Sequence, residues 1–322
     1  MDTKLKLTNQ NQMRLNDLDG FHIELTNLCT LKCPGCLRTQ TIFKWPQHWR
    51  NQNLDLDVLA KFLDIDLHGK TITLCGNTGD SIYHPKFHEF VKFFKSHKAH
   101  LRIFTNGSYR TQQWWDTTVS YLDNTDTVVF SVDGMPENFT QYRINADWES
   151  IQIGMQTCIQ APCKTVWKYI PFNYNEGNII DAEKLSHEMG FDVFKIEKSN
   201  RFDERNGVDY QMVQFMPNNN QHVDTRYQHQ TEWKNTQRSF DLNPTCNDKR
   251  SHYISSNGFY SPCCFIADYS WYYKTEFGKN KKMYNITDRT ITELFQQKEF
   301  NEFYANLTNH SVCHFSCPAT QE

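Results

Sequence analysis

Cys29, Cys33 and Cys36 lie within eight residues, directly after the apolar run FHIELT (21–26). On a straight strand, alternate side chains face opposite ways, so thiols at this spacing cannot address one centre from a strand. The chain has to break into a loop here, and Pro34 and Gly35 inside the last interval favour one. Thiolates presented this way are the usual ligands of iron–sulfur clusters. Zinc is the alternative, although a structural zinc site takes four protein ligands. Three cysteines leave a fourth position open to a small molecule.

The other cysteines are Cys75, Cys158 and Cys163, then Cys246, Cys263, Cys264, Cys313 and Cys317, eleven in all. Disulfide frameworks belong to small secreted domains in oxidising surroundings. The first twenty residues lack the apolar core of a signal peptide, and nowhere do about 18 apolar residues run together. A cytoplasmic protein without a membrane span is therefore expected, and its cysteine spacing reads as metal chemistry. The formal charge of −3 gives no support for a nucleic-acid partner, whose phosphates call for a basic stripe. The 322 residues allow a large and a small domain, and 23 Phe with 15 Tyr supply large buried areas.

From residue 21 to about 200, β-rich runs alternate with amphipathic stretches, as in βα units on a parallel sheet. Strands are expected at 21–26, 71–75, 101–105, 127–132, 165–172 and 191–197. Helices are expected at 54–67, 86–97, 112–123, 147–161 and 181–190. This predicts an α/β fold, a partial (β/α)6 TIM-like barrel with its working loops at the C-terminal strand ends. Residues 1–20 form an N-terminal extension and 201–240 a polar connecting segment. A small C-terminal α+β domain follows at 241–322, with short strands in SHYISS and FYSP around Gly258 and a helix over 290–307.

The segment IELTNLCTLKCPGC (23–36) resembles the signature of radical S-adenosylmethionine enzymes, and the resemblance extends over residues 21–200. It implies that Cys29, Cys33 and Cys36 hold a [4Fe–4S] cluster whose open iron takes S-adenosylmethionine. One electron then cleaves that cofactor to methionine and a 5′-deoxyadenosyl radical, which takes a hydrogen atom from substrate. One departure is Gly35, where many members carry an aromatic residue.

Loops at the strand ends extend the resemblance. CGNTGD (75–80) is similar to the family's glycine-rich loop, somewhat longer, so Gly76, Gly79 and Asp80 are implied at the cofactor's methionyl amine. A carboxylate and closely approaching backbone carbonyls suit an ammonium. TNG (105–107) and SVDG (131–134) imply Asn106, Ser131 and Asp133 in the same cavity, with the last two at a ribose, and Arg143 in QYRINADW is implied near the cofactor carboxylate. The first three are also ordinary polar loop caps, and a surface salt bridge is the alternative for Arg143. Glu24 and Lys168 lie within expected strands and are candidates for facing the cavity.

The C-terminal order, Cys246, Gly258, Cys263 with Cys264, then Cys313-x3-Cys317, resembles the twitch domain, a shortened relative of the SPASM domain. It implies a second, auxiliary [4Fe–4S] cluster on Cys246, Cys263, Cys313 and Cys317, with Cys264 as spare or replacement for Cys263. Four cysteines are equally what a structural zinc site uses. Cys75, Cys158 and Cys163 read as buried small hydrophobes and His84 as local structure.

The expected function is radical chemistry on a peptide or small molecule, with a flavodoxin- or ferredoxin-type protein as electron donor. A peptide-modifying maturase comes first. A sugar- or cyclitol-type dehydrogenase is close behind, since nothing in the first twenty residues resembles a leader-peptide recognition domain. A non-catalytic zinc or iron–sulfur module is the alternative from another class.

Overall fold

The computed structural model describes residues 15–199, 202, 212–224, 250–267, 282–305, 312, 313 and 317. Two compact units divide the chain, one of residues 23–53 and 71–225, the other of 1–22, 54–70 and 226–322.

The first unit contains strands β2 (Thr71–Leu74), β3 (His100–Thr105), β4 (Thr127–Ser131), β5 (Lys164–Tyr169) and β6 (Val193–Ile196). All four pairings are parallel, β2 with β3, β3 with β4, β4 with β5 and β5 with β6, so the sheet runs in chain order and stays open. The expected α/β class stands. Helices α1 (Leu37–Lys44), α3 (Phe87–Ser96), α4 (Gln112–Val119), α5 (Trp148–Ile159) and α6 (Ile179–Met189) belong to the same unit. The inner face of α3 is Phe87, Phe90, Val91 and Phe94, all buried at helical spacing. On α5, Ile151, Gly154, Met155 and Cys158 repeat that pattern. Gly154 is required there, because a Cβ would stand 2.5 Å from the buried Trp115 ring. Asp147 starts α5 by accepting the Ser150 N–H at 2.9 Å, and Thr111 does the same for α4 through Trp114.

These elements end near the positions that periodicity predicts, because the buried faces of the helices are periodic, and α4 and α5 carry side-chain caps as well. Helix α1 is absent from the sequence expectations. Its segment LRTQTIFK has no wide apolar face, and its start is set by the loop before it.

The second unit contains β1 (Gly20–Ile23, of which residues 20–22 fall here), α2 (Leu56–Phe62), β7 (Ser251–Ile254) and β8 (Tyr260–Ser261). Strand β1 lies beside β7, which pairs antiparallel with β8 through Tyr253 with Ser261 and Ile254 with Tyr260. Gly258 turns this hairpin at φ +78°, a left-handed conformation that suits glycine. The helix expected over 290–307 is two helices, α7 (Ile291–Gln296) and α8 (Lys298–Ala305), because Gln297 between them adopts an extended conformation. Thr290 and Glu293 form a reciprocal capping box at the start of α7. The buried centre is aromatic: Tyr260, Phe295, Phe300 and Tyr304 gather around His252 and one another.

Among the described residues, no helix is long and apolar enough to cross a membrane.

Candidate metal centre and cofactor site

The loop that follows β1 is held at both ends. At its entrance the Asn27 amide donates to the Arg50 carbonyl at 2.8 Å and its oxygen accepts the Gln52 N–H at 2.8 Å, while Thr26 Oγ1 donates to Asn53 Oδ1 at 2.6 Å. At its exit Cys36 is the N-cap residue of α1, its own N–H bonded to the Cys33 carbonyl at 3.1 Å. Arg38, on the first turn of α1, reaches back to the Asn27 and Leu31 carbonyls at 3.3 and 3.4 Å.

The three thiols thereby face a common apolar surround. Cys33 is buried among Leu31, Tyr142, Phe172, Phe202 and Met212, and the half-buried Cys29 and Cys36 pack against the same group. Burial pushes the Cys33 thiol up to about 12, against the pull of Arg143 beside it, and Cys36 adds to the rise. The Cys29 thiol is raised by burial as well, then by the charge of Asp80 and by Cys36 and Cys33. No three His, Cys, Asp or Glu side chains among the described residues converge on a single ion-sized point. The donor set fits a multi-iron cluster, because three sulfurs that repel one another as buried thiolates are compensated by bound cationic metal.

Two polar links run from these thiols to the sheet. The first starts at Cys29, whose sulfur lies 3.6 Å from the Asn106 amide nitrogen. That amide also donates to Asp80 Oδ2 at 2.6 Å, and the Asn106 N–H reaches the same oxygen at 2.7 Å. Thr105 adds a bond at 3.0 Å, and the other Asp80 oxygen accepts the Ile82 N–H at 3.2 Å. Burial nevertheless holds the Asp80 carboxyl up at about 6. The second link starts at Cys33, beside Arg143, whose Nε donates to Asp133 Oδ2 at 2.6 Å. Burial works against the Arg143 charge, and the Asp133 carboxylate together with Cys33 and Tyr142 outweighs it, so the guanidinium is held protonated. Asp133 Oδ1 accepts the Ile170 N–H at 2.8 Å, and its carbonyl accepts Tyr174 Oη at 2.6 Å.

Gly76 and Gly79 bend the 75–80 loop around a carboxylate that the sequence offered only as a cavity candidate. Glu24 Oε1 accepts the Thr78 N–H at 2.7 Å, the Thr78 hydroxyl at 2.9 Å and the Gly79 N–H at 3.3 Å. A Cβ at Gly76 would stand 2.8 Å from that oxygen, and one at Gly79 would strike the Thr26 carbonyl. The glycines therefore allow this loop to lie against the residues just before the cysteines.

Ser131 ends β4 opposite Lys168 on β5, and Lys168 stands 3.9 Å from Glu197. At Gly35 a Cβ would meet Met212 Cε and Tyr142 Oη, each at 2.8 Å, so those side chains fill the space beside the loop. Met212 was missed because it sits in a stretch with no periodic apolar signal. His84 accepts the Lys86 N–H at 3.0 Å and packs edge-on against Phe90, a local role as expected. Cys158 and Cys163 are buried and Cys75 is half-buried.

In the second unit, Cys246 lies outside the described residues. Cys313 and Cys317 are buried, with the Cys317 N–H bonded to the Cys313 carbonyl at 2.9 Å. Burial pushes the Cys263 thiol up to about 11, and Cys317 adds to that rise, so these two sulfurs sense each other. Cys264, next to Cys263 in sequence, is half-buried.

Residues 246–318 match the SPASM family, an iron–sulfur cluster-binding domain. The fold is similar to that of Streptococcus suis SuiB bound to S-adenosylmethionine, with a TM-score of 0.62 at 14% identity over 98% of this chain and 73% of that one. SuiB bound to its precursor peptide SuiA gives 0.60 at 15% identity, over 92% and 69%. A 120-residue stretch is 28% identical to the tungsten-containing aldehyde ferredoxin oxidoreductase cofactor-modifying protein of Pyrococcus furiosus. That match spans 36% of this chain and 31% of the relative's length. The chain thus has the fold of a protein solved with S-adenosylmethionine bound, and its residues 246–318 match an iron–sulfur cluster-binding domain.

Proposed function

We propose that this protein is an enzyme that reductively cleaves S-adenosylmethionine and uses the resulting radical to modify a peptide. The observation that carries the reading is the cysteine loop itself, three cysteines on one apolar cluster, with Asn106 bonded to one and Arg143 beside another. When bound, a [4Fe–4S] cluster and S-adenosylmethionine supply the electron and the 5′-deoxyadenosyl radical that takes a hydrogen atom from substrate.

The chain's own residues then have distinct tasks. Cys29, Cys33 and Cys36 hold the first cluster. Arg143 favours the thiolate of Cys33 by its charge, and Asp133 fixes Arg143 in place. Asn106 donates to Cys29 and is itself oriented by Asp80. The backbone of Gly76 and Gly79 approaches closely enough to offer carbonyls to an ammonium, and Ser131 with Asp133 serves a ribose. Tyr142, Phe172 and Met212 exclude water from the sulfurs. In the C-terminal segment, Cys246, Cys263, Cys313 and Cys317 hold an auxiliary cluster, with Cys264 able to replace Cys263.

Peptide modification is favoured over small-molecule oxidation by the likeness to SuiB, which was solved with its precursor peptide. A cytoplasmic location and a reduced flavodoxin or ferredoxin as donor belong to the same reading. Anaerobically reconstituted protein given dithionite and S-adenosylmethionine is expected to release 5′-deoxyadenosine. Absence of that product from protein with intact clusters overturns the proposal.

A further inference from the structure

Between Glu24 and Asp55 the chain runs for thirty residues without an acidic side chain, while it carries Lys32, Arg38, Lys44, His48 and Arg50. Over the whole chain acidic residues outnumber basic ones, 37 to 34, so this segment stands apart. Lys32, Lys44, His48 and Arg50 are exposed, and none of the five forms an ion pair among the described residues. Arg38 is held by the Asn27 and Leu31 carbonyls and lies 5.9 Å over the Trp49 ring. Among the described residues, Arg50 donates only to the carbonyls of Gln47 and Trp49. In the same stretch Phe43 and Trp45 are 52% and 42% exposed, at the C-terminal end of α1.

Exposed aromatic rings rimmed by unpaired cations are the composition of an interface, not of an ordinary solvated face. The position matters as much as the composition. Cys36 is the N-cap of α1, and eight helical residues span about 12 Å, so Phe43, Lys44 and Trp45 sit one short helix from a proposed cluster ligand. An uncompensated positive field steers an acidic partner to this place. Transient electron-transfer contacts are small, under about 1,200 Å² in total, and one helix end with the turn after it is enough for one.

We propose that the end of α1 and the following turn, residues 43–50, form the docking surface for an acidic one-electron carrier protein that reduces the cluster on the cysteine loop. This rests on the function proposed above. In the step, a flavin hydroquinone on the carrier becomes the semiquinone, and the single electron it loses is gained by the oxidised cluster.

The test uses the full chain and reduced flavodoxin as the acidic probe. Lys44→Glu with Arg50→Glu is expected to slow cluster reduction by flavodoxin about tenfold or more at low salt, while reduction by dithionite stays unchanged. Trp45→Ala weakens the same reaction without altering its salt dependence. Raising the salt concentration brings the wild-type rate down towards that of the charge variant. Equal flavodoxin rates in wild type and both variants overturn the proposal, and so does an equal loss with dithionite. Calorimetric titration of oxidised flavodoxin into the reconstituted full chain separates this proposal from the one it rests on. Binding there that the charge variant abolishes supports docking even if no 5′-deoxyadenosine forms. Binding of a polyanionic peptide in place of flavodoxin on this face assigns the surface to substrate and overturns it.

Discussion

Where the cysteine loop meets the sheet, beside the apolar cluster of Tyr142, Phe172 and Met212, the buried contacts are polar pairs: Asp80 with Asn106, Asp133 with Arg143, Glu24 with Thr78. Around β8 in the other unit they are rings, with His252, Tyr260, Phe295, Phe300 and Tyr304 in mutual contact. Hydrogen bonds and ion pairs have direction, so the first arrangement sets where each side chain points before any cofactor arrives. Ring packing supplies burial with little direction. The cysteines differ in the same sense, since the first three are neighbours in one loop while the C-terminal set spans Cys246 to Cys317. The sheet unit thus presents a site shaped in advance. The C-terminal unit is held by a core, and Cys263 and Cys317, which sense each other there, stand far apart along the chain.

The largest expected effect follows from breaking a polar pair. Asp133→Ala leaves the Arg143 guanidinium buried without its carboxylate and removes the acceptor of the Ile170 N–H. Loss of one partner of a buried ion pair costs about 3–5 kcal/mol. Urea denaturation of the full chain is the measurement. A loss below about 1 kcal/mol would show that the polar pairs do not shape this unit.

A smaller loss is expected at Gly79, where a methyl group would strike the Thr26 carbonyl and crowd Asn27 Cα at 2.7 Å. Gly79→Ala should cost about 1–3 kcal/mol through overpacking. Gly177→Ala is its control, because nothing lies within 4 Å of a Cβ there. Similar stabilities for the two variants would mean that the 75–80 loop yields, and the contrast between a shaped site and a packed core would weaken.

The cysteine loop was legible in the sequence because its ligands are close together and its breakers, Pro34 and Gly35, lie between them. The strands and most helices were legible through their own periodicity, as with Phe87, Phe90, Val91 and Phe94 on α3. What packs on the loop was not. Met212 approaches Gly35 from some 177 positions away, inside a segment read as a polar connection, and no local pattern encodes such a contact. Glu24 was read as a cavity-facing candidate, yet its oxygen is taken by the Thr78 and Gly79 donors, which only the fold of the 75–80 loop supplies. Gln297, which divides the C-terminal helix in two, is a good helix former, and its extended backbone reflects how α7 and α8 pack.

The last prediction probes the aromatic side of the comparison through acid. His252 is fully buried, its Nδ1 bonded to the Tyr260 hydroxyl, and burial lowers its pKa to about 3 from an ordinary 6.5. Between those values the unfolded chain takes up a proton that the folded chain refuses. The contribution of this residue is therefore complete above pH 6.5 and is lost as the pH falls towards 3. At pH 5 the loss amounts to about 2 kcal/mol. His252→Phe preserves a ring against Phe295 and Tyr304 but has no group to titrate. The variant is less stable at pH 7.5, because the Tyr260 hydroxyl loses its partner, at a cost of about 1–3 kcal/mol. Its stability should nonetheless fall less than that of the wild type between pH 7.5 and 5, by about 2 kcal/mol, in urea titrations at the two values. Every other titrating group is common to both proteins, so the difference isolates His252. Equal pH slopes would mean that the ring cluster opens readily enough to hydrate this side chain.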